Sequence, residues 1–261
     1  MKKLFLIFAA LFVLSSVAFA KPYGEKSRAD SAGDIVFADG TATAWREGLT
    51  LTEEQKNAAV AVIFYAGTEC SNSGASRTLG VGLKNTGTDS TLQWAISSAA
   101  GYSTNIMDIQ CTRSETAPTD GTAYYTYTSS NTTYYITGDL DGSDNWQALC
   151  EAVSDEGTSG KYPAWEWVNA YAKNNALSGE YAQGWYIPTL AEFCMLYRAK
   201  DTVNAALEAA GGTEIADTGY WSSSQYSSYN NRAWNVWFDY GSLSNSLKYA
   251  NKSVCVVRAF N

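Results

Sequence analysis

Downstream of a polar stretch from Lys21 to Gly33, the hydrophobic positions first fall in short runs and then in helical spacing. Asp34-Ile-Val-Phe-Ala-Asp-Gly40 is an apolar run that ends in a turn, and Ala58 to Gly67 is a longer one, apolar throughout from Val60 to Tyr65. Brief runs of Val, Ile and Phe bounded by Gly and Asp predict buried strands. Thr78 to Leu83, with glycines inside, predicts a third strand. Thr116 to Thr133, rich in Thr, Ser and Tyr, reads as loop or edge strands, and Tyr134-Tyr135-Ile136 as a short strand.

The period changes after Gly142. Asp144 with Gln147 three residues on predicts a capped helix start. Ala164, Trp167, Val168, Tyr171 and Ala172 follow the spacing of one helical face. Thr189-Leu-Ala-Glu192, directly after Pro188, is a second capping box, with Leu190, Phe193, Cys194 and Tyr197 on one face. From Asp201, the residues Val203, Ala206, Leu207 and Ala210 make another helical stripe, which Gly211-Gly212 stops. Beyond Tyr220 the period is two: Trp234, Val236 and Phe238 share one face, and Asn235, Trp237 and Asp239 the other, while Val254, Val256 and Arg258 share a face of the last strand. Strands, then helices, then a meander predict an α+β chain. The division drawn from this is a β-rich region over 21–130 and a second region over 131–261.

Residues 1–20 carry a different signal. Lys2 and Lys3 precede the apolar run Leu4 to Val17, and Ala18-Phe19-Ala20 closes it. That is the layout of a secretory signal peptide, shorter than a bilayer span, and it predicts an exported protein: periplasmic, cell-surface or secreted. No later stretch is long enough to span a membrane as a helix.

Composition narrows the chemistry. Among the 261 residues there is no histidine, which removes Ser-His-Asp and Cys-His catalysis and histidine-ligated zinc. The net charge is −8, so no nucleic-acid partner and no anionic membrane surface is expected. No serine elbow and no phosphate-binding glycine loop is present. Asp139, Asp141 and Asp144 crowd together, but glycine falls at loop position four rather than six and Cys150 stands where a calcium loop needs Glu, so a turn with a helix cap is expected and no metal or cofactor. Of the five cysteines, Cys70, Cys111, Cys150, Cys194 and Cys255, at least one stays unpaired; most read as small buried hydrophobes, with a Cys70–Cys111 bridge as the alternative.

Tyr220 to Asn251 stands apart. Eighteen of its thirty-two residues are Tyr, Ser or Asn. Rigid amphipathic rings among small hydrogen-bonding side chains are the composition of a paratope. The expected ligand-binding residues are Tyr226, Tyr229, Asn230, Asn231, Asn235, Trp237, Asp239, Tyr240, Ser242 and Asn245, the rings as anchors and the rest as hydrogen-bonders, for an unknown protein or glycan. Trp221, Trp234 and Phe238 are assigned to the core.

Gly184-Trp-Tyr-Ile-Pro-Thr-Leu-Ala-Glu192 resembles the G-W-x-[LI]-P-T-x-x-E signature of bacterial exported proteins with a C-type lectin-like fold. Tyr220-Trp-Ser-Ser-Ser224, Ala233-Trp234 and Val254-Cys-Val-Val-Arg-Ala-Phe260 follow in that family's order, and Gly33 to Gly40 and Ala61 to Tyr65 are similar to its N-terminal region, so the resemblance implies a C-type lectin-like domain over 131–261. Within it the chain resembles the variable proteins of diversity-generating retroelements, such as the treponemal variable protein. That resemblance implies a binding surface rewritten at Asn codons near the 3′ end of the gene, displayed by an adhesin- or receptor-type protein that is not an enzyme. The chain departs from the pattern in lacking a lipobox cysteine and the E-P-N, Q-P-D and W-N-D motifs of calcium-dependent sugar binding. Two other readings remain beside it: a lectin-fold enzyme of the formylglycine-generating type using Cys194 or Cys255, and an outer-membrane β-barrel suggested by the 14% aromatic content, against which the capped helices between 144 and 211 speak.

Overall fold

Thr189 fixes the centre of the molecule. In the computed structural model, which describes residues 21–260, its Oγ1 accepts from the Glu192 amide at 3.2 Å and Glu192 Oε2 accepts from the Thr189 amide at 2.8 Å, the reciprocal pair that the sequence predicts. The signal peptide expected over residues 1–20 lies outside the described residues.

In chain order the elements are β1 (Asp34–Phe37), β2 (Ala42–Ala44), α1 (Glu53–Ala58), β3 (Ala59–Gly67), β4 (Arg77–Gly82), β5 (Leu92–Gln93), β6 (Gln110–Ser114), β7 (Tyr124–Ser129), β8 (Thr132–Gly138), α2 (Asn145–Ala152), α3 (Pro163–Asn169), α4 (Tyr171–Asn174), α5 (Leu190–Arg198), α6 (Lys200–Ala209), β9 (Gly219–Tyr226), β10 (Arg232–Trp237), β11 (Ser242–Leu247), β12 (Asn251–Lys252) and β13 (Val257–Ala259). A five-stranded sheet runs β13-β4-β3-β1-β2, a six-stranded sheet β11-β10-β9-β6-β8-β7, and β12 pairs with β5. All pairings are antiparallel except β6 with β9. The predicted mixture of strands and helices is therefore present. No helix among the described residues is long and apolar enough to cross a membrane.

Helix α5 lies against β3 of one sheet and β9 and β10 of the other. Every residue from Leu190 to Leu196 is buried, so the one-faced helix of the sequence pattern is enclosed all round. One hydrophobic core gathers α5, α6 and the facing sides of both sheets, with Phe193, Leu196, Val203, Leu207, Trp234 and Phe238 inside it. A second core, with Trp94, Trp165, Trp185, Ile63 and Trp221, fills the other side.

Several sequence expectations shift. Asp144 is the N-cap of α2 but makes no side-chain cap bond; Asp141 caps the preceding 3-10 turn instead, accepting from the Ser143 amide, and Gln147 turns to Glu151. The helix expected around Trp167 and Tyr171 breaks at Ala170 into α3 and α4, burying Trp165 with Ala164, Val168, Tyr171 and Ala172 of the predicted stripe and leaving Trp167 half-buried. The last strand does not alternate between core and solvent: Val254 and Val256 enter the second core while Cys255 and Val257 enter the first. The division at 130/131 falls inside the two-residue turn of the β7–β8 hairpin, Ser130 and Asn131 both at positive φ. Each large sheet takes strands from both sides of it, because β13 returns to β4 and β9 pairs with β6.

Four of the cysteines, Cys70, Cys111, Cys194 and Cys255, are buried in the first core, Cys150 is half-buried, and all five are free thiols. Cys70 and Cys111 are therefore not bridged. Burial pushes the Cys70, Cys111, Cys194 and Cys255 thiols well above the usual thiol range. They sit in the core as neutral hydrophobes rather than in an open cleft.

Candidate functional site

The β9–β10 connection rises from a rigid base. Gln225 ends the buried part of β9 and is itself fully buried. Its Oε1 accepts from the Ile106 amide at 3.0 Å, and its Nε2 donates to the carbonyls of Thr104 and Asn230 at 3.2 and 3.1 Å. One side-chain amide thereby ties the 104–106 loop to the 226–231 turn. That turn closes with the Tyr229 amide donating to Tyr226 O and the Arg232 amide to Tyr229 O, and the Lys248 amide donates to Asn231 O.

On this base sits a shallow pocket of about 540 Å³ lined by Tyr226, Tyr229, Asn231, Arg232, Asn245 and Leu247. The Tyr226 and Tyr229 rings stack at 6.1 Å and 28°, and Tyr226 meets the edge of buried Trp234 at 5.0 Å. Tyr229 is 62% exposed. Arg232 Nη1 donates to Asn245 Oδ1 at 2.9 Å across the β10–β11 ladder. A second stacked pair, Tyr102 with Tyr249 at 5.9 Å, borders the turn next to Lys248. Antiparallel register explains the gathering. Arg232 faces Leu247 and Trp234 faces Asn245, so these side chains emerge where the Trp234 face of the sheet runs out of core.

Four of the ten expected residues meet here: Tyr226, Tyr229, Asn231 and Asn245. Asn230 is exposed on the same turn and offers its carbonyl to Gln225. Asp239, Tyr240 and Ser242 are exposed at the other end of β10, about 17 Å away for a six-residue strand. That turn is anchored by Tyr127, whose hydroxyl donates to Gly241 O at 2.6 Å, and by Ser129 on Tyr240 O. Trp237 is half-buried, packed over Gly219 with Lys252 Nζ 4.7 Å from its ring.

Asn235 is not on a free face. It is fully buried, its Nδ2 donating to Ser246 Oγ at 3.1 Å. The alternation does set it opposite Trp234, but the opposite face is covered too: its β9 partner Trp221 lies in the second core. Sequence reasoning missed Arg232 and Leu247, which the hairpin register pairs with each other, one step along the same face from Asn245. Tyr102 and Gln225 carried no local signal, since both act through contacts more than a hundred residues away in the chain.

The three aspartates diverge. Asp139 is buried, accepts from Asn72 and Asn145 at 2.8 and 2.7 Å, and is pushed up to about 6 by burial against those bonds. Asp141 pairs with Arg77 at 2.8 Å. Among the described residues no cluster of three acidic, thiol or imidazole groups could hold a metal ion. Arg77 also donates to Glu192 Oε1 at 2.8 Å and to the Tyr186 hydroxyl, which in turn donates to Glu192 Oε1. Burial pushes the Glu192 carboxyl up to about 7 against the pull of Arg77 and the Thr189 amide. This buried network, built on the Gly184–Glu192 segment, ties α5 to β4 and is structural.

No protein-family model matches the chain, and no curated protein matches it in sequence. Its fold is that of a known structure. A fimbrial protein from Bacteroides ovatus superimposes with a TM-score of 0.58 at 13% identity, over 88% of this chain and 49% of that one. The chain thus spans about half the length of that protein.

Proposed function

We propose that this is an exported, adhesin-type protein that binds a ligand through the Tyr226–Asn245 pocket and does no catalysis. The observation that carries the reading is an open, aromatic- and amide-lined pocket on a turn held from below by the buried Gln225 amide. Ordered rings at an exposed position present apolar area at little entropic cost on binding. The fold likeness to a fimbrial protein and the leader pattern at residues 1–20 support display outside the cell. The scaffold is proposed to be C-type lectin-like; the return of β13 to pair with β4, around helices that follow the Gly184–Glu192 block, supports that assignment. Diversification at the pocket turn follows from the same resemblance, and a reverse-transcriptase gene beside a near-copy of the 3′ end differing at adenines would bear it out.

The deciding experiment uses the mature protein, fluorescently labelled, on a printed panel of glycans and surface proteins. Tyr229→Ala, Asn231→Ala and Asn245→Ala together are expected to abolish the signal at a stability cost of about 1 kcal/mol or less each, since Tyr229 is exposed and Asn231 and Asn245 are half-buried. Binding that survives the triple substitution, or no binding to any panel member, refutes the proposal.

A further inference from the structure

Resting on that pocket, we infer that its ligand is a sugar bearing a carboxylate. Arg232 is the one formally charged side chain lining it, in a chain whose net charge is −8. A pocket free of Asp and Glu in so acidic a molecule reverses the local sign. The Asn245 Oδ1 contact holds the guanidinium in place, and among the described residues no carboxylate lies within ion-pair distance of it. Its remaining N–H groups suit the two oxygens of a carboxylate, which a planar fork binds in parallel.

The rest of the lining selects the body of the ligand. Tyr229 turns one face to Tyr226 and is 62% exposed, so an aromatic face stays open for the C–H face of a pyranose ring. Asn231 and the Nδ2 of Asn245 supply amides for ring hydroxyls. Four carbonyls of the turn already accept a bond: Tyr226 O from Tyr229 N, Tyr229 O from Arg232 N, Asn230 O from Gln225 Nε2, and Asn231 O from Lys248 N. An acidic peptide that docks by main-chain hydrogen bonds finds these four acceptors each engaged once. A small hydroxyl-rich ligand needs only the side chains, and about 540 Å³ lies within the range of single-ligand sites.

Titration calorimetry on the mature protein, with galacturonic acid, N-acetylneuraminic acid, galactose and a tetraglutamate peptide as probes, tests this. One or both acidic sugars should bind at least about tenfold more tightly than galactose. Arg232→Gln should weaken them roughly 10- to 100-fold, the range for one charge-assisted hydrogen-bonded contact, and weaken galactose by a smaller factor. Equal binding of galactose and the acidic sugars, or indifference to Arg232→Gln while Tyr229→Ala abolishes binding, overturns the carboxylate assignment and leaves the pocket reading standing. Preference for the peptide overturns the sugar. Binding of no probe overturns the inference, while the panel experiment judges the pocket independently.

Discussion

Lys248 is fully buried, with Nζ donating to Gly101 O at 2.6 Å and lying 4.4 Å from the centre of the Trp94 ring. No carboxylate pairs with it among the described residues, and burial pulls its ammonium from 10.5 down to about 7. At about 1.4 kcal/mol per tenfold, that lowering corresponds to about 5 kcal/mol of native-state penalty wherever the lysine is charged in both states, below pH 7. Between pH 7 and 10.5 the unfolded chain holds the extra proton, so this residue's contribution to stability rises with pH and is lost again as pH falls to the folded value. Lys248→Met removes the charge, loses the hydrogen bond to Gly101 O and gives up the Trp94 contact, about 2–3 kcal/mol together. The variant is therefore expected to be about 2–3 kcal/mol more stable than the parent at pH 6 and, where the parent's amine is neutral and only its hydrogen bond counts, about 1 kcal/mol less stable at pH 10.5. Urea unfolding followed by tryptophan fluorescence across that range, with equal m-values, measures the difference; the buried tyrosine hydroxyls titrate in both proteins and cancel. A difference that does not change with pH would refute the reasoning.

Arg77→Ala leaves Glu192 and Asp141 without their partner in a buried site and should cost about 3–5 kcal/mol in denaturant unfolding. Thr189→Ala removes the cap of the central helix and should lower stability by about 0.5–2 kcal/mol; an unchanged midpoint with unchanged slope would count against the cap. Trp234→Ala empties a core site and loses the Nε1 bond to Cys111 O, for about 3–5 kcal/mol by thermal unfolding. Asn235→Ala, in a buried position, should cost about 1–3 kcal/mol, whereas Tyr229→Ala should change stability by about 1 kcal/mol or less.

What the sequence determined by itself is what neighbours in the chain decide. The Thr189–Glu192 box closes within four residues, the apolar run of β3 needs only its own length to read as a buried strand, and the gathering of Tyr, Ser and Asn after Tyr220 marks the turn that forms the pocket. Alternation also placed Trp234, Val236 and Phe238 correctly in the core. Tertiary structure decided the rest, because periodicity reports which face a residue is on and not what covers that face. Asn235 lies opposite Trp234 as the period requires, yet a second core behind the sheet buries it. Helix α5 carries a one-sided pattern, yet sheets on two sides enclose it. Cys111 and Cys70 read as buried hydrophobes with a bridge as the alternative, and only their placement in one apolar core as free thiols removed that alternative. Arg77 reaches Glu192 across 115 residues, and Gln225 reaches Ile106 across 119. Those contacts form only when β13 and β9 close the two sheets on strands from the other end of the chain, so no local pattern could announce them.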